Sequence, residues 1–144
     1  MKIITGKVVA DWTKKQILKK NDTSLPAKGL AIGFADKNEI VFGCIFSGLK
    51  QFRDGANVWA TIAKKEGKRF RKKEVLQPLF SYAFDNLKAS RITCQIAPDN
   101  VESIRLCENL GFTHEGTFRQ GYDGQKDALL YGLLKEERPY VIRT

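Results

Sequence analysis

Residues 100–116 read NVESIRLCENLGFTHEG and combine a short amphipathic helix with the strand that follows it. Four apolar residues recur at helical spacing and predict one buried face: Val101, Ile104, Cys107 and Leu110. Asp99 is positioned to cap the helix start, and Glu102 stands three residues later, which is the spacing of a capping box. Gly111 fits the left-handed position that ends many helices. This stretch therefore predicts a helix over 99–109 that turns sharply into a strand.

Apolar periodicity on both sides of this stretch predicts two more helices and six strands. The helices are predicted over 6–20 and 74–87, and the strands over 30–35, 40–47, 58–63, 91–97, 113–119 and 128–134. Loops are predicted over 21–28 and 48–56, and residues 122–124 form a hairpin tip. Pro78 lies inside a helical pattern and predicts an irregularity there. The polar tail over 135–144 is expected to be loose or docked at an edge.

This order of helices and strands predicts an α/β fold with a mixed, mostly antiparallel sheet and helices on both faces. The expected parallel neighbours are the strands over 58–63 and 91–97, joined by the helix over 74–87 as a right-handed crossover. The strands over 30–35 and 40–47 are nearly continuous in apolar residues, so both of their faces should be covered. A length of 144 residues fits one domain over 1–144.

Composition places the chain among ordinary soluble proteins, with 42% hydrophobic and 28% charged residues. No apolar run approaches the ~20 residues of a membrane span, and Lys7 and Asp11 interrupt any signal-peptide core, so a cytoplasmic location is expected. Three separated cysteines among apolar neighbours indicate reduced, buried thiols: Cys44, Cys94 and Cys107. His114 is the single histidine, and no metal site is expected.

The net charge of +9 and the isoelectric point near 9.6 indicate a polyanionic partner: a nucleic acid, an acidic protein or a phosphate-rich cofactor. The densest basic run, KKEGKRFRKKE over 64–74, stands between a predicted strand and a predicted helix start. A helix start offers free backbone N–H groups and partial positive charge, which favour phosphate binding. The alternatives for this run are a solvated charged face and a nucleic-acid patch.

Several short motifs stand together along the chain: Asn100 with Ser103, LGF at 110–112, EG at 115–116, KRFR at 68–71, FSYAF at 80–84 and YG at 131–132. In combination they resemble the GNAT family of acetyl-CoA-dependent N-acetyltransferases. The resemblance is strongest to the branch that acetylates protein N-termini and to bacteriophage-encoded members. It spans residues 29–135, and residues 6–20 more weakly.

The resemblance implies a fold in which the two parallel strands splay apart and the pantetheine arm of acetyl-CoA lies in the gap. The positions that match cofactor-binding residues of the family are Thr61, Ile62, Lys68, Arg69, Phe70, Arg71, Lys72, Asn100 and Ser103. The usual phosphate cradle of the family contains glycines, whereas this chain has Lys68 and Phe70 there, with Gly67 one place off. More of the phosphate binding would then fall to side chains.

The same resemblance gives candidate catalytic residues. Ser103 matches a serine thought to protonate the leaving thiolate, although both it and Asn100 also fit a purely helix-capping role. The tyrosine that many members use as the acid is replaced here by Cys107, and the two positions of a basic glutamate hold Gln95 and Tyr122. Tyr122 and Glu115 are the remaining candidates for proton transfer, with His114 and Asp123 beside them, and each also has a structural interpretation.

Three functions remain open from the sequence. The first is an N-acetyltransferase that moves an acetyl group from acetyl-CoA to a primary amine by direct attack in a ternary complex. The second is a non-catalytic GNAT-fold binding protein, favoured by the missing acid and base. The third, a nucleic-acid-binding protein, is disfavoured because no aromatic strand platform or reading helix is evident. The acceptor amine and the oligomeric state are not determined by the sequence.

Overall fold

The computed structural model describes residues 2–19, 29–67 and 72–140. Its strands are β1 (Lys2–Thr5), β2 (Gly29–Asp36), β3 (Glu39–Phe52), β4 (Gly55–Lys64), β5 (Arg91–Ile96), β6 (Thr113–Phe118) and β7 (Ala128–Leu134). Its α-helices are α1 (Lys7–Lys19), α2 (Lys72–Ser81) and α3 (Val101–Asn109), with a π-helical turn at Tyr82–Asn86 and a 3₁₀ turn at Lys135–Glu137. The predicted loop over 21–28 lies outside the described residues.

The strands form one seven-stranded sheet in the order β1-β2-β3-β4-β5-β7-β6. Every neighbouring pair is antiparallel except β4 with β5, which is parallel. The predicted parallel pair is therefore confirmed, and α2 with its π-helical turn is the connection between the two strands. The mixed, mostly antiparallel sheet is confirmed as well.

Helix α1 lies on one face of the sheet, where glycines let it approach the strands closely. Val9 packs there with Ala31 of β2 and Ile45 of β3. A Cβ atom built on Gly33 would lie 2.7 Å from Val9 Cγ1, and one built on Gly43 would overlap the Thr13 side chain. Any side chain at these two positions would push α1 away from the sheet.

The larger core lies on the other face, beneath α2 and α3. Alternate residues of β2 and β3 point into it: Ile32, Phe34, Phe42, Cys44 and Phe46. They meet α2 through Val75, Leu76 and Leu79, and α3 contributes Cys107. Because α1 covers one face and α2 and α3 cover the other, the prediction of helices on both faces is confirmed.

The prediction of a loop over 48–56 is wrong. Strand β3 runs on to Phe52 and β4 begins at Gly55, so the two strands form a long hairpin that leaves Arg53 and Asp54 as its turn. The pairing is irregular between Ser47 and Lys50, and Gly48 there has a φ of +59°. Residues 48–54 are exposed, so no apolar alternation marks them as strand. Strand β1, which is short and mostly exposed, was not predicted for the same reason.

The helix predicted over 74–87 is present, but its irregularity lies at its C-terminal end and not at Pro78. Pro78 is accommodated inside α2, and the chain then widens into a π-helical turn in which the Leu87 N–H bonds the Tyr82 carbonyl at 3.0 Å. The described part of the tail packs against this turn and not at an edge of the sheet, since Arg138 pairs with Asp85 at 3.1 Å and lies 5.6 Å from the Phe84 ring centroid. In the described ranges, no helix is long and apolar enough to cross a membrane.

Candidate active site

The two parallel strands separate halfway along their length. Their pairing joins Asn57 with Arg91 and ends at Trp59 with Thr93. Beyond that point β4 continues to Lys64 and β5 to Ile96 without pairing to each other, although both strands are described in full. The backbone N–H and C=O groups that face each other here make no strand-to-strand bonds across the gap, and buried groups of this kind need partners.

Helix α3 begins at the open end of this gap. Its N-cap is Asn100, whose Oδ1 accepts the backbone N–H of Ser103 at 3.2 Å. This is the ordinary way in which an Asn satisfies an otherwise unpaired N–H of a first helical turn. Ser103 is half-buried. The predicted cap at Asp99 is therefore wrong by one residue, because Asn100 already fills that role.

The two acidic residues predicted as a capping box instead form ion pairs on either side of the helix start. Glu102 Oε1 lies 2.8 Å from Lys64 Nζ at the end of β4. Asp99 Oδ2 lies 3.0 Å from Lys126 Nζ, in the loop between β6 and β7. Sequence reasoning missed both pairs, because each joins residues more than twenty positions apart and no local pattern marks them.

The loop between β6 and β7 carries Tyr122 and is held by its own carboxylates. Asp123 Oδ1 accepts the backbone N–H groups of Gln125 and Lys126, and these bonds lower the pKa of the Asp123 carboxyl below its usual value. The Tyr122 N–H bonds the Lys126 carbonyl at 3.1 Å, and the Tyr122 side chain is half-buried. Asp123 thus orders the loop, and the Lys126–Asp99 pair ties it to the start of α3.

Glu115 lies at the paired end of the two parallel strands. It forms an ion pair with Arg91, and the two side chains cross over Gly132, where a Cβ atom would overlap both. Arg91 Nε also donates to Thr93 Oγ1 at 3.1 Å, and Thr93 Oγ1 donates to Asn57 Oδ1 at 2.7 Å. This network clamps β4, β5 and β6 together at the end where the strands are still paired.

Cys107 and His114 lie beside the core under α3. Cys107 is buried and hydrogen-bonds Cys94, and that bond together with burial raises the pKa of the Cys94 thiol. His114 stacks on the buried Tyr131 ring with centroids 5.1 Å apart, and its Nε2 is 3.0 Å from the Gly116 carbonyl oxygen. The prediction of buried free thiols is confirmed for Cys44, Cys94 and Cys107.

The remaining cofactor-binding predictions divide into two groups. Thr61 and Ile62 lie on the half of β4 that has separated from β5, and Ile62 packs against the core under α2 and α3. Lys68, Arg69, Phe70 and Arg71 lie outside the described residues. Lys72 is the first residue of α2. Within the ranges that the structure describes, no group of three or more His, Cys, Asp or Glu side chains could hold a metal ion.

These features define a class of protein: an α/β domain in which a parallel strand pair opens into a cleft and a capped helix begins at the cleft mouth. The acetyltransferase (GNAT) domain matches residues 5–113. The chain belongs to the GNAT acetyltransferase family. The resemblance to the GNAT family noted in the sequence is thereby confirmed.

Individual relatives agree with this assignment. The uncharacterized N-acetyltransferase p20 from Bacillus licheniformis is 32% identical over 124 residues, which cover 81% of this chain and 68% of that protein. A putative ribosomal N-acetyltransferase, YdaF, from Bacillus subtilis is 32% identical over 118 residues, covering 72% of this chain and 64% of its own length. The structure of Mycobacterium smegmatis RimJ in complex with CoA-disulfide has the same fold, with a TM-score of 0.72 at 16% identity over 95% of this chain and 83% of that one.

Proposed function

We propose that the protein transfers an acetyl group from acetyl-CoA to a primary amine by direct attack in a ternary complex. The observation that carries the proposal is the separation of β4 from β5 beyond Trp59 and Thr93, with the Asn100-capped start of α3 at the open end. An extended, amide-bearing arm fits such a gap because both strands present unpaired backbone groups to it. Acetyl-CoA supplies an already activated acetyl thioester.

The residues at the helix start would hold and orient the thioester end. Asn100 fixes the first turn of α3 through the Ser103 N–H, and the helix start carries partial positive charge that stabilises a developing negative charge. The Ser103 hydroxyl is the proposed proton donor to the leaving sulfur. Proximity supplies much of the remaining acceleration, since orienting two reactants is worth ~7–11 kcal/mol.

Proton removal from the amine is assigned to water, with the Tyr122 hydroxyl as the proposed relay. Tyr122 is half-buried in a loop that is tied to the start of α3. Glu115 is a weaker candidate because its carboxylate is committed to Arg91. The Asp123 carboxylate is also engaged, because it accepts hydrogen bonds from two backbone N–H groups.

A protein N-terminus is the proposed acceptor. The support is the name of one relative, a putative ribosomal N-acetyltransferase, and the positive net charge, which disfavours a polyamine. The second candidate function is a non-catalytic binding protein of the same fold. It is favoured by the engagement of both Glu115 and Asp123 in structural contacts.

The experiment incubates the protein with acetyl-CoA and a panel of acceptors: peptides with free N-termini, the same peptides blocked at the N-terminus, and spermidine. Release of the free thiol of coenzyme A is followed, and products are identified by mass. We expect thiol release that requires a free peptide N-terminus. Binding of acetyl-CoA without transfer to any amine would favour the non-catalytic alternative.

A further inference from the structure

One ion pair crosses the gap that the separated strands leave open. Lys64 is the last residue of β4, and Glu102 lies in the first turn of α3, which begins after a four-residue loop at the end of β5. Their charged atoms are 2.8 Å apart. Since β4 and β5 do not pair beyond Trp59 and Thr93, this contact connects the two sides of the gap at its open end.

The side chains beneath the ion pair are apolar. Ala60 and Ile62 alternate with Lys64 on the same side of β4, and both pack against the core under α2 and α3. Ile104 of α3 packs against the same core. The ion pair therefore stands over the apolar part of the gap, where strand and helix meet.

A neighbouring ion pair has a different position and gives a natural comparison. Lys65, the next residue along the chain, pairs with Glu39 at the start of β3. Strands β3 and β4 are paired antiparallel at this end, where Phe42 lies opposite Lys64. The Lys65–Glu39 pair thus joins residues on the same side of the gap and does not cross it.

We propose that the Lys64–Glu102 pair is a latch that closes the mouth of the gap in the free protein and opens when the acyl carrier enters. The identity of that ligand rests on the proposed function. An arm that occupies the space between β4 and α3 must part the two charged groups. The side chains of Lys64 and Glu102 are 38% and 61% exposed, and such pairs are weak, so the latch lowers affinity by about two- to fivefold.

The test measures binding of S-acetylpantetheine, which has the acyl arm but no phosphate charge. Its affinity is compared in the wild type, Lys64→Gln, Glu102→Gln and the double variant, by competition with labelled acetyl-CoA. We expect each single variant to bind it about two- to fivefold more tightly. The double variant should gain no more than either single one, because all three lose the same contact. Lys65→Gln and Glu39→Gln serve as matched controls and should leave the affinity unchanged.

Three results would overturn the latch. Equal affinities in all variants, with wild-type binding intact, would remove the latch and leave the proposed function standing. Weaker binding in Lys64→Gln with tighter binding in Glu102→Gln would indicate that Lys64 itself contacts the ligand, which a latch shared by the two residues excludes. Absence of binding of both acetyl-CoA and S-acetylpantetheine in every variant would overturn the latch and the proposed function together.

Discussion

At the scale of single residues, the hydrogen bond between Asn100 and Ser103 distinguishes the role of the Ser103 backbone from the role of its side chain. The Ser103 N–H is used by the cap, whereas its hydroxyl is the group that we propose as the proton donor to the leaving sulfur. We expect Ser103→Ala to lower turnover by about 10²-fold or more while leaving the dissociation constant of acetyl-CoA nearly unchanged. That pattern marks an interaction made mainly in the transition state. Single-turnover kinetics with equilibrium binding measures both quantities.

Cys107→Ala is the matched control on the same helix. Cys107 is buried against Cys94, so its truncation should lower the free energy of unfolding by about 1 kcal/mol and leave turnover per folded molecule unchanged. Wild-type turnover in Ser103→Ala would end the assignment of Ser103. A folded but inactive Cys107→Ala protein would move the acid role to Cys107.

Glu115 gives a second prediction at this scale. Because its carboxylate pairs with Arg91 over Gly132, we expect Glu115→Gln to act on stability and not on chemistry. A partly exposed ion pair contributes up to about 1 kcal/mol, so urea unfolding should show a loss of that size or less. Turnover at saturating substrate should stay within about twofold of wild type, since a direct proton-transfer role would cost at least about 10²-fold. A folded variant with a loss of that size would make Glu115 the base.

At the scale of elements, the contact between α1 and the sheet depends on Gly33. A Cβ atom there would lie 2.7 Å from both Val9 Cγ1 and the Phe42 carbonyl oxygen. We expect Gly33→Ala to lower the free energy of unfolding by about 1–3 kcal/mol, the usual cost of overpacking. Gly116→Ala on β6 is the control, because a Cβ there meets nothing within 4 Å. Equal stability of the two variants in urea unfolding would contradict the close packing of α1.

The elements also show what the sequence could predict. Nearly continuous apolar runs identified β2 and the inner part of β3, because their side chains are buried on both faces by α1, α2 and α3. The same signal missed β1 and residues 48–52 of β3, which are mostly exposed and paired through their backbones. In the site, the cap of α3 was predicted to within one residue, at Asp99 instead of Asn100, because capping is a local pattern. The Lys64–Glu102 and Arg91–Glu115 pairs were not, since they depend on the fold that brings distant residues together.

At the scale of the whole molecule, the effect of the net charge of +9 on ligand binding has to be distinguished from the effect of the local basic run over 64–74. Both would attract the phosphates of coenzyme A, and both would be screened by salt, with a Debye length of about 10 Å at 0.1 M. Replacing Arg69 and Arg71 by Ala removes two charges from the run. Replacing the exposed Lys7 and Lys15 of α1 by Ala removes the same charge elsewhere.

If the run binds the phosphates directly, the double arginine variant should bind coenzyme A several-fold more weakly at low salt, and the loss should shrink as ionic strength rises. The double lysine variant should bind nearly as the wild type does. Isothermal titration over a series of salt concentrations measures both, with duplex DNA as a second titrant. Equal losses in the two variants would mean that only the overall field attracts the ligand. Tighter binding of DNA than of coenzyme A by the wild type would favour the nucleic-acid alternative, because DNA would then be the polyanion that the protein prefers to bind.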